Sequence, residues 1–305
     1  MIFSLIYHPY MDEYLESAAP LLSAFDAVAS EGHVTRAAEL LGVPQSSISR
    51  RIRALERVVG LDLLQPSGRG VSLTPSGREF FERTHDLVRA LHDAVAAVRS
   101  DADPEGGVVR FGFPLTLGPQ SISKLLADFH TVAPRMRVRL VQAHGELLAE
   151  MIRDGRLDIA VMIPPPVDLD TTVLGEQRLF LHVATTHPLA ARHEVDIADL
   201  ADEDFVASPR SFHLRTLLDS WCSEADFVPR VPFEINEIDT IRALVGSGMG
   251  IAILPAAESA DPEVVTIALT GNRLRNIGLT TGHHRPTAAV ARFHRHVSHY
   301  DLGLV

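Results

Sequence analysis

Between Leu21 and Arg99 the apolar residues recur every three or four positions, the period of a helix, and strand-like apolar runs gather only after Gly107. A single change of period implies two architectures joined end to end. The join is Ser100-Asp-Ala-Asp-Pro-Glu-Gly-Gly107, helix breakers and acids that read as a hinge. Beyond it, apolar runs at 108–113, 138–141 and 157–162 alternate with amphipathic helical patterns at 122–129 and 147–152, which predicts βαβ units. After Pro164-Pro165-Pro166 the alternation resumes with strands at 179–184 and 205–207 and a helix from 214 to about 222, then strand, helix and strand at 231–235, 238–245 and 251–254. Two α/β lobes are expected, and a strand at 277–281 and a helix at 288–296 complete one or the other.

At 305 residues, 46% of them apolar, the chain can build two domains with a sizeable core in one. The opening MIFSLIYHPY has no basic flank, no small-residue cleavage site and too little length to cross a bilayer, so the expected location is the cytoplasm, with no membrane partner. Met11 would serve equally well as an initiator. The one cysteine, Cys222, excludes an internal disulfide, a CxxC pair and a cysteine-based zinc cluster, and is expected to be a buried thiol. Net charge is −11, which taken alone argues against nucleic acid. Its distribution argues the other way. From Thr35 to Arg78, Arg36, Arg50, Arg51, Arg53, Arg57, Arg69 and Arg78 face only Glu39, Glu56 and Asp62, a local charge of +4 that leaves −15 for the rest.

That basic segment reads as helix, turn, helix. Thr35 suits a helix start, Gly42 ends the helix in a left-handed conformation, and Pro44 begins the next. At about 100° per residue Ile48, Ile52, Leu55 and Val59 form one buried stripe, with Ser46, Arg50, Arg53 and Arg57 on the opposite face. A row of arginines with Gln45 at the helix start suits a reader of the major groove, since arginine pairs with guanine or phosphate and glutamine with adenine. The row alone also fits a solvated basic face on an ordinary helix. Its neighbours favour DNA: 61–65 and 71–73 read as short strands around Pro66-Ser-Gly-Arg-Gly70, a wing whose Arg69 would touch phosphate or the minor groove. From Thr74-Pro75 a helix can run to about Arg99, with Phe81, Thr84, Val88, Leu91, Val95 and Val98 spaced as a coiled-coil seam. Packing within its own domain is the alternative to dimerisation.

At this point the chain from about Leu21 onward resembles the LysR-type transcription regulators. AFDAVASEGHVTRAAELLGVPQSSISRRIRALERVVGLDLLQPSGRGVSLTPSGREFF is similar to that family's N-terminal domain throughout. The resemblance implies DNA contacts at or near Thr35, Gln45, Ser46, Ser49, Arg50 and Arg53, with Arg69 in the wing, beside the Arg57 of the helical wheel. His33 stands where the family often has serine, and Gln65-Pro66 where an acid and an arginine are more usual. Gly155-Arg-Leu-Asp158, His187-Pro188-Leu189 and Gly248-Met-Gly250 resemble the family's effector domain, a two-lobed, Rossmann-like fold similar to periplasmic binding proteins. The implied layout is an N-terminal extension (1–20), a winged helix-turn-helix (21–73), a linker helix for dimerisation (74–99), a hinge (100–107) and an effector domain (108–305). The resemblance places the effector between the lobes, near Phe113, Pro114, Thr116, His144, Ser208, Arg210, Ser211 and Phe212. Hydroxyls at helix starts, Thr116 and Ser211, and an Arg210 clamp favour a carboxylate. It also implies double-stranded DNA with an interrupted dyad, a homodimer or homotetramer, RNA polymerase as partner of an activator, and no cofactor.

Gly246-x-Gly248-x-Gly250 follows a helical stretch and precedes a strand, the reverse of a dinucleotide loop, and is expected to be a helix-ending turn. His283-His284 and His294-x-His296-x-x-His299 lack a cysteine or matched carboxylate and read as a surface tail with no metal. No nucleophile turn or Walker loop is present, so no catalytic residues are named. Two competing functions remain, a solute-binding protein whose helices mediate assembly and an α/β enzyme fused to a DNA-binding module.

Overall fold

The computed structural model describes residues 9–68, 70–102, 105–282 and 286–300, with side chains described from residue 18 onward except 93, 96, 97 and 99–102. Arg69, His283 and His284 lie outside the described residues. The chain divides into two compact units, Met1–Ala96 and Ala97–Val305.

The first unit is built from α1 (Pro9–Glu31), α2 (Val34–Leu41), α3 (Gln45–Val59), β1 (Leu64–Ser67), β2 (Gly70–Leu73) and the start of α4 (Pro75–Ala102). Phe25 and Val28 of α1, Ala37 of α2, and Ile48, Ile52 and Leu55 of α3 close around Leu63 as one core. From α4, Phe80 and Phe81 meet Phe25 edge-on at centroid distances of 5.5 and 6.4 Å. Helix α1 takes in residues expected to be an extension, because Asp12 to Ala19 are mostly good helix formers and carry the helix back past Pro20. The start of α2 also differs from expectation: His33 is the N-cap, its Nδ1 accepting from Thr35 N–H at 3.2 Å. The imidazole thus does what a serine hydroxyl would. Gly42 ends the helix at φ +63°, as its position predicts.

The wing is shifted from its expected register. Pro66 and Ser67 belong to β1, pairing with Val71 and Gly70, so the ribbon extends further toward the wing's end than expected. Proline is tolerated there because a two-stranded ribbon leaves its outer side without a ladder bond to make. Glu56 Oε1 accepts from the N–H groups of Leu63 and Leu64 at 3.0 and 3.3 Å, tying α3 to β1. Thr74 Oγ1 accepts from Gly77 N–H at 3.0 Å and starts α4. That start is pressed against the chain: a Cβ on Gly77 would lie 1.9 Å from the Leu63 carbonyl oxygen. Gly77→Ala is therefore expected to destabilise this unit by about 1–3 kcal/mol, the usual cost of overpacking. Hydrogen exchange should show faster opening of α1 to α3 with the second unit unchanged.

The second unit has two lobes. The first holds β3 (Val108–Pro114), α5 (Pro119–Val132), β4 (Arg137–Ala143), α6 (Gly145–Arg153) and β5 (Ile159–Met162). Strand β6 (Asp170–Ala184) then runs into the second lobe, which adds β7 (Glu194–Val195), β8 (Asp204–Ala207), α7 (His213–Glu224), β9 (Arg230–Glu234), α8 (Ile238–Gly246), β10 (Ala252–Pro255) and β11 (Val264–Leu269). Strand β12 (Leu274–Thr281) returns to the first lobe, and α9 (Ala288–Ser298) packs Phe293 and Val297 into its core. His294 and His296 therefore sit on a packed helix rather than a surface tail, His294 Nε2 lying 3.1 Å from Thr172 Oγ1. Gly246 is the last residue of α8, and Gly248 and Gly250 lie between that helix and β10.

The sheet order is β4-β3-β5-β12-β6-β11-β7, with β10 also paired to β6 and β8 paired to β9. Strands β6 and β12 are thus the two crossings between lobes. The Asp170 to Arg178 part of β6 pairs antiparallel with β12, with a register break at Ile277/Gly278 opposite Gly175, whose φ is +147°. Helices α5 and α9 cover one face of the first lobe's sheet around Phe111, Phe129 and Phe293, and α6 covers the other around Leu148 and Ile152. Cys222 is buried in the second lobe, and burial pushes its thiol up to about 12.

Candidate functional site

In the first unit, α3 buries Ile48, Ile52 and Leu55 and exposes Gln45, Ser46, Arg50, Arg53 and Arg57, while Ser49 is half-buried and Thr35 is exposed on α2. The helical wheel is thus realised as one apolar and one polar face. Arg57 Nε donates to the Arg53 carbonyl at 3.3 Å, and Arg36 is held by Glu31. Among the described residues the guanidinium groups of Arg50 and Arg53 take part in no hydrogen bond or ion pair. The N-cap Pro44 offers no side-chain acceptor, so the first N–H groups of α3 are left for an outside acceptor such as phosphate. On α4, Phe81 and Val88 pack inward, but Leu91 and Val98 are 50% and 71% exposed and Val95 is exposed with them.

In the second unit a cavity of about 460 Å³ opens between the lobes. It brings together Pro114, Thr116, His144, Ser211 and Phe212 of the residues expected from sequence. Phe113, Ser208 and Arg210 do not line it. Phe113 points into the first lobe's core, Ser208 is buried beneath α7, and Arg210 is exposed. His144 is the N-cap of α6, its Nδ1 accepting from Leu147 N–H at 3.4 Å, and its ring lies 5.3 Å from that of Phe212 across the lobes. Phe212 caps α7 without a side-chain bond, so a second helix start faces the same space.

The dominant group was missed by sequence reasoning. Arg275, on β12, is 5% exposed and lines the cavity. Its Nε donates to Gln177 Oε1 at 3.0 Å, and Nη2 donates to Thr116 Oγ1 at 2.9 Å. Gln177 is its register partner on β6. Among the described residues no carboxylate pairs with it, and burial pushes its pKa down to about 9, still a cation at neutral pH. The other arginine at the cavity, Arg153, is paired with Asp168 through bonds of 2.8 and 2.9 Å. The one lining carboxylate is Glu146. A buried cation without a counter-charge is costly, and a bound anion would offset that cost. His213, the first residue of α7, also lines the cavity; its Nδ1 is buried without a partner among the described residues, and burial with the charge of Arg275 holds its pKa below the usual histidine value.

A second space of about 790 Å³ lies on the α5 and α8 side. Its rim carries Glu237, Asp239, Glu258 and Asp261, and Glu258 already accepts from the N–H groups of Gln120 and Ser121 at the start of α5, at 2.7 and 2.9 Å. That chemistry repels an acid. Among the described residues no cluster of histidine, cysteine and acids could hold a metal, and no helix is long and apolar enough to cross a membrane.

A winged helix with a free arginine face, followed by a two-lobed cleft domain, defines a DNA-binding protein that carries a small-molecule site. Residues 20–78 match the family described as bacterial regulatory helix-turn-helix protein, lysR family, and residues 102–301 match the LysR substrate binding domain. The chain belongs to the LysR family of transcription regulators: it is a DNA-binding regulator with an effector-binding domain, and not an enzyme. It is 33% identical over 243 residues to the transcriptional dual regulator GltC of Bacillus subtilis, covering 79% of this chain and 81% of that protein. It is 35% identical over 237 residues to the regulator ShiR of Corynebacterium glutamicum, covering 76% and 80%. Among solved structures, a full-length OxyR variant from Pseudomonas aeruginosa has the same fold at TM-score 0.69 and 22% identity, covering 92% of each chain. CbnR in complex with its target DNA matches at TM-score 0.62 and 22% identity, over 92% of this chain and 98% of that one.

Proposed function

We propose that this regulator reads operator DNA with α3 and responds to a small carboxylate bound between the lobes of its second unit. The buried, unpaired Arg275 carries the second part of the reading. A carboxylate there would accept a charge-assisted hydrogen bond from Nη1 of a guanidinium whose Nε and Nη2 donors are already held by Gln177 and Thr116. Because Arg275 and Gln177 sit on the two strands that cross between lobes, an acid bound to them acts directly on the hinge at Gly175 and Gly278. Its differential affinity for open and closed lobes then biases the assembly. Pro114, Thr116, His144, Ser211 and Phe212 shape the site. The fold itself takes such a ligand in QuiR, whose effector domain was solved with shikimate.

For DNA, Gln45, Ser46, Ser49, Arg50, Arg53 and Arg57, with Thr35 and the wing Arg69, form the proposed contact set. The exposed Leu91, Val95 and Val98 of α4 supply an apolar seam for a second copy. Two recognition helices would then meet an interrupted dyad with half-sites ~34 Å, or a multiple of it, apart. A homodimer or homotetramer in the cytoplasm, contacting RNA polymerase if it activates, completes the reading, with domain limits as given by the sequence.

Footprinting on the upstream intergenic DNA, with salt varied and a panel of small carboxylic acids added, tests both parts. The expected result is an interrupted protected dyad whose extent changes with one acid; protection no better than on random DNA would overturn the proposal. Arg50→Ala and Arg53→Ala are each expected to weaken specific binding by about 1–3 kcal/mol if the residue contacts a base. Unchanged affinity in both variants would remove that face from the contact set.

A further inference from the structure

We infer that His213 is the second anchor of the effector, taking up a proton from solvent when an acid docks on Arg275, so that the cleft favours acids bearing an oxygen acceptor beside the carboxylate. This rests on the reading of the cleft as an anion site and adds to it a residue, a proton and a ligand class.

His213 opens α7 and lines the same 460 Å³ cavity as Arg275. Its Nδ1 is a buried nitrogen with no hydrogen-bond partner among the described residues. Buried polar atoms are nearly always satisfied, and one that is not, in the wall of a ligand cavity, calls for a partner on the ligand. Without an acid, the ring is kept neutral by burial first and by the charge of Arg275 second. An anion on Arg275 cancels that second cause and replaces it with attraction, while an acceptor oxygen near Nδ1 favours N–H at that atom. Both changes raise the affinity of the ring for a proton.

The other charged groups around the cavity are committed elsewhere. On α6, His144 uses Nδ1 as the acceptor that caps its helix, so the imidazolium form would break the cap. Arg153 is paired with Asp168, and Glu146 is an acid that an incoming anion would repel rather than dock on. On α7 itself, Arg215 is buried between Asp219 and Glu234, at 2.9 Å from each. On the β3–α5 loop, Thr116 does not titrate and is held by Arg275. His213 is the group left to change its protonation.

The sign follows from linkage. A histidine whose pKa is low without ligand and higher with it makes binding tighter as pH falls through the interval between the two values, and pH-independent below the lower one. Calorimetric titration of the full chain tests this with acids in matched pairs: benzoate and salicylate, propionate and lactate, cyclohexenecarboxylate and shikimate. Each is run near neutral pH in Hepes and in Tris, whose ionisation heats differ. The expected result is that a hydroxylated member binds more tightly than its partner, with a buffer-dependent heat reporting uptake of a large part of one proton. His213→Gln, which keeps a hydrogen-bonding amide but cannot be protonated, should lose the uptake and weaken the hydroxylated acid about tenfold. In His144→Gln the affinity is expected to change and the uptake to remain. Binding without uptake, or uptake that survives in His213→Gln, would overturn the inference and leave the anion site standing. If no acid binds at all, the anion site falls and the inference with it.

Discussion

Replacing Arg275 with methionine is expected to abolish the response to carboxylates while leaving the protein folded. Arg275 is nearly fully buried, has no carboxylate partner among the described residues, and already has its pKa pushed down to about 9 by desolvation. Removing the cationic half of a buried charge pair costs about 2–5 kcal/mol of binding, roughly a 30-fold to several-thousand-fold loss in affinity. The effect on folding is of a different size. Methionine fills a similar volume and removes an uncompensated buried charge, which is neutral or stabilising. Against that, Gln177 Oε1 loses its donor and Thr116 Oγ1 loses one, a cost of about 1–3 kcal/mol for a buried acceptor and less for one at a cavity wall. The two opposing contributions leave a net stability change of less than about 2 kcal/mol. Calorimetric titration with the acid found by footprinting, beside a thermal melt, separates the two outcomes. Equal affinity in the variant and the parent would show that Arg275 does not hold the ligand.

Arg275 was hidden from sequence reasoning for a definable reason. The strand was expected to begin at Ile277, where the apolar run begins, but β12 starts at Leu274 and places Arg275 on the same buried face as Ile277, two residues on. A charged residue one step outside an apolar run reads as a loop. Only the register with Gln177, a polar partner on β6, makes it an inward-facing pair. The first half of β6 was missed likewise: Asp170 to Glu176 is polar and mostly exposed because it is a bridge between lobes rather than a core strand. The helix starts were displaced where histidine does the work of a hydroxyl. His33, His144 and His187 all accept at Nδ1 from a backbone N–H at an N-terminus, and histidine is not among the residues whose presence signals a cap. By contrast α3 was legible in detail, because a short amphipathic helix must hide one stripe and show the other. Ile48, Ile52 and Leu55 leave Arg50 and Arg53 no position but the surface.

The stability of the second lobe is expected to fall by about 3 kcal/mol between neutral pH and pH 4 through one buried group, His182. It lies on β6 opposite Ala252 of β10 and Thr266 of β11, is 1% exposed, and its Nε2 has no partner among the described residues. Burial is the main cause, with the nearby Arg242 charge adding to it, and together they lower its pKa to about 4. In the unfolded chain the same ring titrates near 6.5. Between those values the unfolded chain binds a proton that the folded one refuses, so protonation draws the equilibrium toward unfolding as pH drops. The contribution is complete above about 6.5, is lost progressively through the interval, and stops changing near 4, where both states are protonated. Trp221, the one tryptophan in the sequence, is buried in the same lobe and reports its unfolding by fluorescence. His182→Leu removes both the titrating group and the unpartnered nitrogen at similar volume. Its urea midpoint should therefore exceed that of the parent by a margin that widens as pH falls from 7 to 4. Carboxylates elsewhere, and His213 and His294 with their own lowered values, titrate in both proteins, so the difference between the two curves isolates His182. A margin that stays constant across that range would mean that His182 takes up its proton in the folded state as readily as in the unfolded one, and that β6, β10 and β11 open around it at a cost much smaller than their packing implies.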